Sequence, residues 1–228
     1  MTTARPSLPL LPVTAARAMV LLCPPMCPGQ PSPSRAGPHT GAGTLDVMTE
    51  QETGPGRPKP VPDLIAPGLD VLFCGINPSL RSAETGQHFA RPGNRFWPAL
   101  HLAGLTPRRL TPAEGPELLR FGLGVTNVVD RPTRTAAELD PAELRAGAAA
   151  LEALVARYRP RVLAVLGVTA WRQAFDRPRA TLGRQPERIG GVTTWVAPNP
   201  SGLNAHHQLP DLARLYRELR DAPSEVSG

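Results

Sequence analysis

The chain has 228 residues, of which 41% are hydrophobic and 19% are charged, and its formal net charge at pH 7 is +6. This length allows one domain with a well-buried core and argues against two domains of ordinary size. The positive charge comes almost entirely from Arg, because Lys59 is the only lysine. It favours an anionic partner whose phosphates can accept paired hydrogen bonds.

The three cysteines, at positions 23, 27 and 74, form neither a disulfide framework nor a set of metal ligands. Cys23 and Cys27 have no further ligand at metal spacing, and Cys74 lies in an apolar run where a small buried thiol is expected. The apolar patch at residues 18–23 is too short to span a bilayer. We therefore expect a reducing, cytoplasmic setting, with no metal, no cofactor and no membrane partner.

The first 60 residues differ in composition from the rest of the chain. They contain 12 of the 29 prolines and show no sustained period of two or 3.6 residues, so residues 1–60 are predicted to be a disordered tail. Met48 precedes a polar segment and is an alternative start of translation, in which case residues 1–47 would be an upstream artefact. Residues 61–228 are expected to form a single domain.

From Val61 onward, apolar runs alternate with amphipathic helix patterns, which is typical of an α/β layered fold. Strands are predicted at residues 70–75, 123–129, 161–166 and 192–197. Right-handed crossovers between them would place helices on both faces of the sheet. The expected fold is a three-layer α/β/α arrangement with a central four-stranded parallel sheet.

Helix signals lie between these strands. Thr111 and Asp140 each begin a capping box in which Pro occupies the first helical position. Further helices are predicted at residues 94–103 and 167–175 and from Pro210 onward.

Two strand-end loops have similar sequences. Asn77-Pro78-Ser79 follows the first strand, and NPSGLN at residues 199–204 follows the fourth. Ligands of open α/β sheets bind at the carboxyl ends of the strands, so these turns are expected to face each other across a cleft. Pro78 keeps the preceding residue extended at the strand end. Either turn alone is ordinary, but the pair is informative.

Four motifs together resemble those of the mismatch-specific uracil DNA glycosylases, the bacterial group related to thymine DNA glycosylase. They are GINPS at residues 75–79, FARPGNRFW at 89–97, GVTNVVDRPT at 124–133 and NPSGLN at 199–204. They occur in the family's order, within a similar region from about Pro67 to Ala222. The resemblance implies the same three-layer fold.

The resemblance implies a monofunctional enzyme of base excision repair that acts on chromosomal DNA as a monomer without a cofactor. Such an enzyme rotates uracil out of a G:U mismatch in double-stranded DNA and hydrolyses the N-glycosidic bond, leaving an abasic site. Thymine and other damaged pyrimidines stay open as further substrates, because the pocket would read the base mainly through backbone groups.

The resemblance also assigns roles around the flipped base. Asn77 would hold the attacking water, and Ser82 would share it. Gly75, Ile76 and Phe89 would form the base pocket, with backbone amides stabilising negative charge on the departing uracil. The ring of Phe89 would stack on the base.

A second group would contact the duplex itself. Leu203 would enter the space vacated by the flipped nucleotide, while the carbonyls of Gly202 and Asn204 would meet the orphaned guanine. The family often has a basic residue directly after this wedge, but Ala205 occupies that position here. Phosphate contacts are expected from Arg91, Arg95, Ser201 and His206.

Asn77 poses a chemical difficulty, because an amide cannot act as a general base as a carboxylate does. Either turnover is slow or another group assists, and Asp130 and Asp140 lie on the same predicted edge. A helix N-cap is the favoured role of Asp140, and an ion pair with its neighbour Arg131 or a turn is the favoured role of Asp130.

A non-catalytic module that binds damaged or single-stranded DNA by stacking and Arg contacts is the alternative from a different class. The combination of Asn77, Phe89 and Leu203 favours the enzyme. A dinucleotide-binding domain is disfavoured, because no G-x-G-x-x-G motif follows the first strand.

Overall fold

The computed structural model of the chain describes residues 61–222. These residues fall within one unit, which spans Glu52–Gly228. The predicted tail of residues 1–60, with the alternative start at Met48, lies outside the described residues, as do Cys23 and Cys27.

Five strands form one mixed sheet in the order β2-β1-β3-β5-β4. They are β1 Val71–Gly75, β2 Leu123–Asn127, β3 Val162–Leu166, β4 Gly183–Ile189 and β5 Val192–Ala197. The four predicted strands are β1, β2, β3 and β5, and they pair in parallel. The predicted α/β fold is therefore confirmed, with β1 lying between β2 and β3 near the middle of the sheet.

The fifth strand, β4, was not predicted, so the sheet has five strands rather than four. It pairs antiparallel with β5 at one edge of the sheet, and the pairing shifts register between Arg184 and Arg188. Pro186 lies in that shifted part, where a residue without an N–H is tolerated. The segment of β4 is strongly polar and contains Pro186, so its sequence does not show a pattern that predicts a strand.

Five α-helices cover the sheet: α1 Leu80–Thr85, α2 Phe96–Leu102, α3 Pro141–Tyr158, α4 Val168–Ala174 and α5 Leu209–Asp221. The helix predicted after Thr111 is a 3-10 helix, Pro112–Phe121, and it begins with the predicted capping box. A short 3-10 helix, Ala136–Glu138, precedes α3. Within residues 61–222, no helix is both long and apolar enough to cross a membrane.

Alternation along β1 creates the three layers. Phe73 packs in one core with Phe96 of α2 and Tyr216 of α5. Leu72 packs in the opposite core with Leu151 of α3 and with Trp171 of α4. Successive side chains of a strand point to opposite faces, so one central strand anchors helices on both sides.

The loops that follow β1 and β2 continue the pairing of these two strands. The N–H of Val128 donates to the Gly75 carbonyl at 2.9 Å, and the N–H of Val129 donates to the Ile76 carbonyl at 2.9 Å. Further along, the N–H of Thr133 donates to the Pro78 carbonyl at 3.2 Å. The two loops therefore run side by side at the carboxyl edge of the sheet.

Helix α3 lies directly against the loop that follows β2. A Cβ atom at Gly147 would collide with the carbonyl oxygen of Val128, which is backbone and cannot turn aside. Gly147 thus permits the close approach that positions this loop.

We expect Gly147→Ala to destabilise the protein by up to about 2 kcal/mol, because forced overpacking costs about 1–3 kcal/mol and the gain in helix propensity offsets only about 1 kcal/mol of it. Urea unfolding measures the change. Ala146→Gly, at an exposed position of the same helix, is the matched control and should cost only about 1 kcal/mol. An unchanged or raised midpoint for Gly147→Ala would contradict this packing.

Candidate functional site

A cavity of about 250 Å³ opens at the carboxyl edge of the sheet. The loops after β1, β2 and β5 all contribute to its wall, together with the segment that leads into α2. Both Asn-Pro-Ser turns reach it, since Asn77 and Asn199 are among its lining residues. The lining includes two arginines, Arg91 and Arg134, and no carboxylate.

The side-chain amide of Asn77 is held in one orientation. Its Nδ2 donates to the Arg131 carbonyl at 2.8 Å and to Thr133 Oγ1 at 2.7 Å. Thr133 Oγ1 gives its own proton to the Thr135 carbonyl at 2.8 Å, so it must accept from Asn77. Both Nδ2 hydrogens are therefore used, and Oδ1 is the polar atom left to accept a hydrogen bond from a ligand or water.

Thr133 is a partner of Asn77 to which the sequence alone assigns no role. It is 4% exposed, lines the cavity, and is fixed by its backbone bond to Pro78 as well as by its hydroxyl. The only signal was its position at the end of a matched motif.

Phe89 and Gly75 form part of the same wall. Phe89 adopts a left-handed backbone conformation with φ of 52°, which is unusual for a bulky residue and is found at functional sites. Its ring stacks on Phe96 with a centroid distance of 4.1 Å. A Cβ at Gly75 would lie 2.5 Å from Asn127 Oδ1, so any larger residue there would force the Asn127 side chain to shift. Ile76 lies beside them in the lining.

The loop of residues 199–208 presents Leu203 at its tip. Leu203 is 74% exposed, although it also lines the cavity rim. The loop is braced internally: Asn204 Nδ2 donates to the Asn199 carbonyl at 3.0 Å, and the Ser201 N–H donates to Asn199 Oδ1 at 2.9 Å. Gly202 lies so close to Gly93 that a Cβ would sit 2.6 Å from the Gly93 carbonyl oxygen.

The predicted phosphate contacts fall into two groups. Arg91 and Ser201 line the cavity, and His206 is exposed on the neighbouring loop. The Arg95 guanidinium instead points into the protein, where it donates to the carbonyls of Ser201, Asn204 and His207. Its position therefore differs from that of an open phosphate contact.

The other proposed catalytic residues lie outside the cavity lining. Ser82 is buried, and its Oγ accepts from Ser79 Oγ at 3.0 Å and from the Ala90 N–H at 3.2 Å. Asp140 caps α3 by accepting from the Ala142 N–H at 2.6 Å. Asp130 is exposed. The cavity wall thus brings Asn77 together with the base-pocket residues but without these three side chains.

Arg131 anchors the loop that orients Asn77. Its guanidinium pairs with the Glu143 carboxylate at 2.7 Å. Hydrogen bonds from Arg131 and from the Asp140 N–H lower the pKa of Glu143 to about 2. The carbonyl that binds Asn77 therefore belongs to a residue tied to α3.

His88 lies behind Phe89. It is 5% exposed, and its Nε2 lies 2.9 Å from the Pro62 carbonyl, which identifies the Nε2–H tautomer because a carbonyl can only accept. Burial lowers the pKa of His88, while the Pro62 carbonyl and the nearby Asp63 carboxylate oppose that shift. Among residues 61–222, no three His, Cys, Asp or Glu side chains cluster in a way that could hold a metal ion.

The fold and the cavity together define an α/β protein with a cavity at the carboxyl ends of parallel strands, where proteins with open α/β sheets bind their ligands. Residues 62–220 match the sequence profile of the Uracil DNA glycosylase superfamily, and the chain belongs to that superfamily. Membership supports a DNA substrate and a uracil DNA glycosylase activity in general.

One similar solved structure is the solution NMR structure of a candidate uracil DNA glycosylase from Methanosarcina acetivorans. It shares 18% sequence identity with this chain, and the alignment covers 71% of this chain and 98% of that one, with a TM-score of 0.49.

The buried state of His88 predicts a pH-dependent stability. In the folded protein the pKa of His88 lies below the ordinary value of 6.5, so its neutral form contributes fully to the free energy of unfolding above pH 6.5. This contribution is lost as the pH falls from the unfolded-state pKa to the folded-state pKa, by at most about 1.4 kcal/mol per pH unit. We expect the urea midpoint of His88→Gln to fall less than that of the wild type between pH 7.5 and pH 5. Parallel pH profiles for the two proteins would contradict this, since all other titrating groups are shared.

Proposed function

We propose that the protein is a monofunctional, mismatch-specific uracil DNA glycosylase that removes uracil from G:U pairs in double-stranded DNA. The observation that carries this proposal is the fixed amide of Asn77, whose Oδ1 is left for a water molecule in a cavity that also holds Phe89 and is bordered by the exposed Leu203. Superfamily membership supports the reaction class.

The cavity has a volume that supports a small ligand such as a single base. Its volume of about 250 Å³ is close to the lower end of small-molecule sites, which span roughly 300–1,000 Å³. The Phe89 ring, fixed on one side by Phe96, offers an aromatic surface to a flat pyrimidine. A base that is stacked in a duplex cannot reach such a cavity, so it would enter only after leaving the duplex.

In the proposed reaction, the C1′–N1 bond breaks and its electron pair leaves with uracil. Water bound to Asn77 Oδ1 then forms the new bond to C1′, and its displaced proton passes to solvent. The positive charges of Arg91 and Arg134 in the cavity wall favour the departing anion. The absence of a carboxylate from this lining makes orientation of the water, rather than its deprotonation, the contribution of Asn77.

The direct test incubates purified protein with duplexes that contain uracil opposite guanine or adenine and with single-stranded uracil DNA, followed by alkaline cleavage. We expect an abasic product, formed fastest from the G:U duplex. Binding without any abasic product would instead favour the non-catalytic DNA-binding alternative. Equal rates with guanine and adenine opposite uracil would contradict the proposed preference for G:U mismatches.

Substitutions at Asn77 and its partner test the mechanism. Asn77→Ala should lower the single-turnover rate by about 10²-fold or more, because the attacking water loses its orientation. Thr133→Val should also lower the rate, since it removes the acceptor of Asn77 Nδ2, whereas Thr133→Ser keeps the hydroxyl and should retain most of the rate. If Thr133→Val and Thr133→Ser behave alike, the hydroxyl does not position Asn77.

The arginines of the cavity mouth predict a salt-dependent affinity. Arg91 and Arg134 also line a second cavity of about 300 Å³ beside the first, together with Arg81. Replacing either Arg91 or Arg134 by Ala should reduce the slope of log affinity against log salt by about 1 for each DNA phosphate that the variant no longer binds. Arg217→Ala, on α5, is the matched control and should leave the slope unchanged. The measurement is fluorescence anisotropy with an abasic-analogue duplex.

A further inference from the structure

The Arg95 guanidinium is bonded to the loop that carries Leu203. Its Nη2 donates to the carbonyls of Ser201 and Asn204, at 2.5 and 2.7 Å. Its Nη1 donates to the His207 carbonyl at 2.7 Å and to Gln208 Oε1 at 3.1 Å. One side chain therefore contacts the loop on both sides of Leu203.

The backbone near Arg95 supports the same loop. The Arg95 N–H donates to the Pro200 carbonyl at 2.9 Å. The Gly93 carbonyl oxygen lies against the Cα of Gly202, so that only Gly fits at position 202. Residues 93–95 thus contact the loop through their backbone, and the Arg95 guanidinium contacts it through its side chain.

All four acceptors of Arg95 are neutral, and Arg95 forms no ion pair with a described carboxylate. Its Nε is buried without a partner among residues 61–222. A partly buried cation without a counterion loses hydration energy, which its hydrogen bonds must offset. The planar fork of Arg can meet several carbonyls at once, which the compact ammonium of Lys cannot do.

We propose that Arg95 is a positioning residue that holds the loop in the shape needed for Leu203 to enter the duplex. The inference rests on the proposed function. Without Arg95, the loop must be ordered during insertion, and the entropy lost then opposes base flipping. Arg95 accordingly acts on the opening of the base pair and not on cleavage of the glycosidic bond.

Single-turnover rates on two substrates separate these steps. In one duplex uracil faces guanine; in the other it faces an abasic-site analogue, so that no base pair has to be broken. Arg95→Ala should lower the rate about 10- to 100-fold on the first substrate and less than about 3-fold on the second. Leu203→Ala should show the same pattern. Equal losses of Arg95→Ala on both substrates would overturn the proposal.

Arg95→Lys distinguishes positioning from simple attraction of phosphate. It keeps the positive charge but cannot span the four acceptors, so we expect it to resemble Arg95→Ala on the G:U duplex. Wild-type activity of Arg95→Lys would show that the charge alone matters and would overturn the proposal. If Arg95→Ala does not fold, Arg95→Lys carries the substrate comparison, with Arg217→Lys as the matched control for an Arg-to-Lys change.

A double-mutant cycle tests whether Arg95 acts through Leu203. In a Leu203→Ala background, Arg95→Ala should lower the G:U rate by less than about 3-fold, because the side chain that the loop presents is already gone. Multiplicative effects of the two substitutions would contradict action through Leu203.

Hydrogen exchange tests the positioning role of Arg95 independently of activity. The amides of residues 201–208 should exchange at least 10-fold faster in Arg95→Ala than in the wild type, while those of β1 and β3 stay unchanged. Unchanged exchange in the loop would overturn the positioning role. If the wild type released no uracil from any substrate, the proposed function would fail, and exchange would still report whether Arg95 holds the loop.

Discussion

The two hydrogen bonds from Asn77 Nδ2 determine the geometry of the site. The amide is delivered by the loop after β1, but both of its acceptors belong to the loop after β2. The site therefore depends on the parallel pairing of these strands, which continues beyond them through Val128 and Val129. Because the main chain sets this register, the amide can keep its orientation before any ligand is bound.

A site built around an oriented amide can position a water molecule. An oriented amide cannot remove a proton, but it can reduce the freedom of a water molecule that would otherwise have to be ordered in the transition state. In the proposed reaction, stabilisation of the leaving group by backbone dipoles and the cavity arginines then supplies much of the rate. This division of tasks differs from carboxylate catalysis, and it is consistent with the positions of Asp130 and Asp140 outside the cavity lining.

The sequence predicted those parts of the molecule whose causes are local. Apolar runs identified the four parallel strands, and the Asp140 capping box identified the start of α3. Long-range side-chain directions could not be obtained in this way. Arg95 was expected to bind phosphate because it is a cation in a loop, yet its partners lie more than a hundred residues further along the chain. Thr133 gained its role only when two loops met, and β4 pairs with β5 although its polar residues and Pro186 show no strand pattern.

The added strand β4 has a consequence for the Leu203 loop. Because β4 covers β5, the strand that leads into this loop has paired neighbours on both sides. Its amides open only when larger parts of the sheet separate, whereas an edge strand frays at little cost in free energy. The loop can then move while β5, the strand that leads into it, stays paired. Pro186 and the register shift near it are features that generally disfavour the addition of another strand to an edge such as that of β4.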